Sequence, residues 1–247
     1  MTQHERNLII AVIIAAASIF LLPDFPQDQA YHQFADQRTL WGIPNALNTL
    51  SNLGFLCAGL WGLMVLAQKK LLFASIIEER LAGLFFAGLV LTALGSGWYH
   101  LNCRDATLAW DRMGMVVTFA GVLGLAAAQK ISLRAGQWLG IGSFFAGIAA
   151  VLWWQTHANL MPYIVIQFGG MALVAWFAFV PSKRPGVSWG LLIICYVVAK
   201  LFEAGDAPVF RLSGNWVSGH TLKHVAAAGG AFAFLPAYQG KQHSFDS

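Results

Sequence analysis

The sequence predicts an all-α, polytopic bundle of transmembrane helices, and three observations carry that expectation. Only 11% of the 247 residues are charged, against roughly 25% in a soluble domain, and 57% are hydrophobic, with a mean hydropathy of +0.61. Eight stretches approach the about 20 mostly apolar residues that cross a bilayer. They are 7–23, 46–67, 82–101, 111–129, 136–154, 162–181, 187–203 and 220–238. The loops between them share out their basic residues unequally, as cytoplasmic and external loops do.

Taken in order, residues 7–23 form an extra N-terminal helix. A cleaved signal peptide is the alternative, but the basic start is thin (Arg6, offset by Glu5) and the exit IFLLPDFP lacks a small-x-small cleavage site. Residues 24–45, rich in aspartate and aromatic residues, are expected to be an ordered outer cap loop. Residues 46–238 then supply a seven-helix core, so the whole of 1–247 reads as one integral membrane domain. One set of helix ends holds Arg6, Lys69, Lys70, Arg80, Lys130, Arg134, Lys183, Arg184 and Lys241; the other holds only Arg38, Arg104 and Arg211. This bias places both termini in the cytoplasm. Asp24, Asp28, Asp36, Asp105 and Asp206 collect on the opposite face, with Trp41, Trp98, Trp110, Trp153, Trp154 and Trp216 as interfacial aromatics.

A net charge of +4 could suggest nucleic acid, but the basic residues are scattered and the loop bias accounts for them. Cys57, Cys103 and Cys195 are odd in number and form no C-x-x-C, and Cys57 and Cys195 lie inside apolar runs, which argues against a disulfide framework or a thiolate zinc site.

Ionisable side chains in membrane helices are costly and mark sites. Here they are His100, Asp111, Arg112, Lys200, Glu203, His220, Lys223 and His224. Spacings of four put Ser96 with His100, and His220 with His224, on single helix faces. Asp111 is expected to start the fourth helix. With the predicted topology, Ser96, His100, Asp111, His220 and His224 share one depth near the non-cytoplasmic face. Three neutral imidazoles can give zinc three of its four ligands and leave a position for water, whose pKa falls to about 7 on the metal.

Each member also has a plainer reading. Ser96, between Gly95 and Gly97, can simply let two helices approach closely, and Asp111 can pair with Arg112. Lys200 and Glu203, three apart, are expected to form a salt bridge. Lys223 is expected to snorkel or to pair with Asp206. His32 and His157 read as interfacial residues, and His4 and His243 as tail residues. A serine protease is weaker, since G-x-S-x-G is absent and two histidines are left over. A transporter is disfavoured by the lack of internal repeats or clearly broken helices.

The order Ser96-x3-His100, Asp111, His220-x3-His224, with Asn48-Thr49-Leu50-Ser51-Asn52 on the second helix, resembles the alkaline ceramidase family. That family lies in a seven-helix hydrolase superfamily with the adiponectin-type receptors, and the similarity covers roughly Asp36 to Leu235. The resemblance implies a seven-helix ceramidase-like core behind the extra helix, zinc on His100, His220 and His224, Asp111 as general base and acid, and Ser96 polarising the amide carbonyl. Relatives of this kind also bind calcium through acidic loop residues and a glutamate. Asn45 stands at that glutamate's position and Asp36 has few neighbouring carboxylates, which argues against a comparable calcium site.

The expectation is therefore a zinc-dependent intramembrane amidase. It would hydrolyse a lipid amide such as ceramide to a fatty acid and a sphingoid base. Its partners would be that substrate and membrane lipids, with no nucleic acid and no obligate protein partner implied. The alternative is a receptor-like or structural protein that uses zinc to tie helices together without turnover.

Overall fold

The computed structural model describes residues 1–181 and 186–238, so Lys183, Arg184, Lys241 and His243 lie outside the described residues. Among the described residues the chain is helical, without a β-strand. The helices are α1 Gln3–Leu21, α2 Ala46–Leu50, α3 Leu53–Ala67, α4 Ile76–Leu101, α5 Asp105–Lys130 and α6 Leu133–His157. They continue with α7 Met161–Ile164, α8 Gly170–Phe179, α9 Trp189–Ala204, α10 Asp206–Leu212 and α11 Gly219–Ala228. A 3-10 segment, Gly229–Ala237, extends α11.

All eight expected segments are helical. Six are long and apolar enough to cross a membrane: Gln3–Leu21, Ala46–Ala67, Ile76–Leu101, Asp105–Lys130, Leu133–His157 and Met161–Phe179. This is the architecture of an integral membrane protein. The seventh, α9, has 16 residues and spans about 24 Å, short of the about 30 Å apolar core.

Several helix starts differ from expectation, and local capping is the reason. The third segment begins at Ile76 rather than 82, because the Ser75 hydroxyl accepts from the Glu78 amide and carries the helix through Glu78 and Glu79. The fourth begins at Asp105, whose carboxylate suits a helix N-terminus, so Asp111 sits in the second turn of α5 and does not start it. Two segments expected to be continuous are interrupted. Ser51 and Asn52 separate α2 from α3, and a π-turn at Val165–Gly169 separates α7 from α8.

Helices α4 and α5 are packed backbone to backbone through glycines. A Cβ on Gly95 would meet the Trp110 carbonyl oxygen at 2.3 Å, and one on Gly114 would meet the Thr92 backbone at 2.5 Å. Gly97, flanking Ser96 on the other side, has nothing within 4 Å and plays no such part. Between α4 and the end of the chain, Phe85, Phe86 and Phe234 form an aromatic core, with centroids 4.7 to 5.0 Å apart.

The bundle has two chemically distinct ends. At one, Ser132 donates to Glu5 at 2.8 Å, Lys69 pairs with Glu79 at 2.6 Å, and Leu71 bridges Tyr238. At the other, residues 22–45 form the expected cap. Asp28 caps a 3-10 turn at Gln29–His32, Asn159 receives the Phe25 amide, and the Ala35 amide donates to Asp206 at 2.8 Å. Arg38 binds Asp36 through two donors, each at 2.8 Å. Burial acts to raise the Asp36 pKa, but these bonds and the adjacent charge outweigh it and hold the carboxyl below its usual range.

Candidate metal centre

The centre is built at the capped end, where α4 stops and α11 starts. Ser218 caps α11 by accepting from the Thr221 amide at 3.1 Å. Asp206 accepts the His220 amide at 2.7 Å, satisfying another donor of the first turn. Gly219 is required here, since a Cβ would lie 2.3 Å from the Phe202 carbonyl oxygen. The buried Asn48 side-chain Oδ1 receives the Thr221 hydroxyl at 2.7 Å and the Ser218 hydroxyl at 3.2 Å, while its Nδ2 donates to the Asp36 backbone carbonyl. These contacts offset the cost of starting a histidine-bearing helix inside the bundle.

His100, His220 and His224 converge as the spacings predict. All three are buried, and one candidate ligand atom from each lies within 4.8 Å of the others. Ring centroids are 4.9 to 5.0 Å apart. His100 Nδ1 and His220 Nε2 have no hydrogen-bond partner among the described residues. Buried polar atoms of this kind call for a ligand or ion, and a metal fits them.

The tautomer of His224 follows from its neighbour. Ser51 donates its single proton to the backbone carbonyl of Asn48 at 2.9 Å, so its oxygen accepts from His224 Nδ1 at 2.8 Å. The lone pair on His224 Nε2 is then free for a metal. Phe34 closes the other side, with its ring 4.3 Å from His220 and 4.8 Å from His100.

A cavity of about 370 Å³ adjoins the cluster, and Ser96, Asp111, Arg112, Lys223 and His224 are among the polar residues that line it. Ser96 and Asp111 are both buried, and the serine hydroxyl neighbours the carboxylate. Beyond them the wall becomes apolar, through Leu89 and Phe85 on α4 and Phe119 and Val122 on α5. Val122 lies eleven residues past Asp111, about 16 Å along the axis.

Some expected pairings are absent. Asp111 and Arg112 form no ion pair; Arg112 donates to Gln27 and lies over Trp154 at 4.0 Å. Trp154 is therefore a buried packing partner rather than an interfacial residue. Lys200 does bind Glu203, at 2.6 Å, but Lys223 pairs with that same Glu203 at 2.7 Å, because Asp206 is committed to Ala35 and His220. Tyr31 also donates to Glu203, at 3.2 Å. Burial, reinforced by Glu203, pushes the Tyr31 hydroxyl far above its ordinary range. His32 is more than an interfacial residue, bonding Tyr99 at 2.9 Å and Asp105 at 3.0 Å. His157 stacks on Trp153 at 3.7 Å.

Sequence reasoning missed the roles of Phe34, Ser51, Asn48 and Asp206. The one local signal was the cluster of asparagines and a serine in an apolar helix, which meant buried polar partners somewhere.

No protein-family model matches the chain, and no curated protein does.

Proposed function

We propose that this protein is a zinc-dependent intramembrane amidase. In this reading it hydrolyses a lipid amide, such as ceramide, to a fatty acid and a long-chain amine. The observation that carries the reading is a buried three-histidine cluster with unpartnered nitrogens, adjoining an apolar cavity whose wall holds Asp111 and Ser96.

Zinc held by His100, His220 and His224 would polarise the amide carbonyl and lower the pKa of a water molecule to about 7. Asp111 takes a proton from the attacking water and returns it to the nitrogen as the carbon–nitrogen bond breaks. Ser96 donates a hydrogen bond to the carbonyl oxygen, where negative charge develops. The apolar wall from Leu89 to Phe85 excludes water and takes a hydrocarbon chain. The Ser96–His100–Asp111–His220–His224 order and the Asn48–Asn52 motif support the resemblance to alkaline ceramidases, with seven helices behind the extra α1. The basic-residue bias supports cytoplasmic termini and a site on the opposite face.

The cavity favours catalysis over a zinc that merely ties helices, since Asp111 and Ser96 border open space. The test pairs metal analysis with mass spectrometry of lipid products. Purified protein should carry about one zinc per chain and release fatty acid from ceramide. A variant lacking both His220 and His224 should lose both; full zinc retention in it would overturn the assignment.

A further inference from the structure

Three helices agree on the depth of the cavity. Its lining runs from Ser96 to Phe85 on α4, from Asp111 to Val122 on α5, and from Glu203 to Leu192 on α9. Each interval is eleven residues, about 16 Å along a helix axis. One turn deeper, Ala82 on α4 and Leu125 and Ala126 on α5 are fully buried and do not reach the cavity. The floor is aromatic. The Phe85 ring stacks on Phe234 at 4.9 Å and 17°, and Phe86 lies 5.0 Å from the first and 4.7 Å from the second. Rings packed at this density give way only at a cost in contacts.

Gly230 faces the same space from the segment that extends α11. It is buried and belongs to the cavity wall, yet a Cβ placed on it would meet no atom within 4 Å. Interiors are close-packed as a rule, so the absent side chain leaves room that the protein does not fill itself. Gly95 and Gly114 are explained by helices in contact; Gly230 has no such neighbour. It lies six residues past His224, about 9 Å deeper into the bundle.

We propose that Phe85 and Gly230 set the length of the acyl chain, so that the cavity accepts a straight chain of about 12 to 14 carbons and discriminates against longer ones. This rests on the amidase reading of the same cavity, which places the carbonyl beside Ser96 and leaves the chain length open. A carbon–carbon bond of about 1.5 Å at a near-tetrahedral angle advances an extended chain by about 1.25 Å. About 13 bonds therefore fill the distance from Ser96 to Phe85. Beyond that the terminal methyl meets the Phe85 ring, and further methylenes must bend the chain or displace the floor. Gly230 keeps the path open part-way down, where a side chain would stand in the chain's way.

The test presents amides with one amine half and saturated acyl chains of roughly 8 to 20 carbons as an equimolar mixture in a single mixed micelle. Mass spectrometry reads the fatty acids released. All chains compete in one sample, so their relative rates do not depend on how much protein is folded. Wild-type protein should keep its rate up to about 14 carbons and lose roughly 10-fold or more by about 18, the range for one methylene too many in a closed pocket. Gly230→Leu should bring that fall to about 8 to 10 carbons, and Phe85→Ala should move it to longer chains. Shifts of opposite sign are not what a general loosening of the bundle produces. A wild-type profile without a fall, or a Gly230→Leu profile equal to it, overturns the proposal. If Phe85→Ala does not accumulate, the Gly230 variant decides alone; if Gly230→Leu does not, Gly230→Ala should shift the fall in the same direction by less.

Free fatty acids of the same lengths separate failure of the amidase reading from failure of this one. Their stabilisation of the wild-type protein against thermal unfolding should peak at about 12 to 14 carbons and move to shorter chains in Gly230→Leu. Absence of hydrolysis across the whole mixture would sink the amidase reading, while the thermal shifts would still decide what length the cavity holds. The same dependence on length in both proteins overturns it.

Discussion

Under the proposed function, individual residues at the centre divide into those that would hold a metal and those that would act beside it, and substitutions separate the two. Asp111→Asn keeps the size of the side chain but cannot accept a proton. The variant should retain its zinc and lose roughly 100-fold or more in kcat. Ser96→Ala should also retain zinc and lose about two to three orders of magnitude. Metal loss in Asp111→Asn would make Asp111 a ligand and favour the structural-zinc alternative; parent-rate hydrolysis by both variants would refute the mechanism. Ser51 makes a different prediction. Its hydroxyl accepts from His224 Nδ1 and so orients the ring. Ser51→Ala should weaken zinc affinity by about 10- to 100-fold, measured by competition with a chromogenic chelator. An unchanged affinity would show that His224 is held by packing alone. The spacing of four in His220-x3-His224 made those ligands legible, because one helical turn aligns them whatever the fold. Ser51 was not legible as their partner, since it meets His224 across 173 positions.

At the scale of helices, hydropathy located every segment but misplaced several boundaries. Glu78, Glu79 and Asp105 interrupt the apolar signal, yet each belongs to a first turn whose free amides favour a carboxylate. Capping, rather than hydropathy, sets where such helices begin. The same limit explains the view of Gly95 and Gly97. The sequence presents them as equivalent, while the structure uses only Gly95, to bring α4 against the carbonyl of Trp110 and so set Ser96 beside Asp111. Gly95→Ala should therefore force α4 from α5, costing about 1–3 kcal/mol and lowering activity. Gly97→Ala meets open space and should be neutral or stabilising by up to about 1 kcal/mol, from helix propensity. Thermal unfolding in detergent reads both, and equal destabilisation would contradict the packing described for α4 and α5.

For the whole molecule, the alternation of helices brings Ser96, His100, Asp111, His220 and His224 to one end, as the topology read from hydropathy predicted. Which end faces the cytoplasm is a separate matter, decided by lysine and arginine rather than by packing. Gln68 is exposed at the end that holds Lys69, Lys70, Arg80, Lys130 and Arg134, and Thr39 is exposed in the cap at the end of the candidate metal centre. The native thiols suit a labelling experiment. Burial pushes the Cys103 thiol up to about 11, so it stays protonated and unreactive near neutral pH, and Cys57 and Cys195 lie within the apolar helices α3 and α9. A membrane-impermeant maleimide applied to intact cells should then label Thr39→Cys, and should reach Gln68→Cys only after lysis. Six basic residues at one described end, Arg6 among them, against Arg38, Arg104 and Arg211 at the other make the reverse orientation costly during insertion. Labelling of Gln68→Cys in intact cells, with Thr39→Cys protected, would put the centre on the cytoplasmic side and require its lipid amide to come from the inner leaflet.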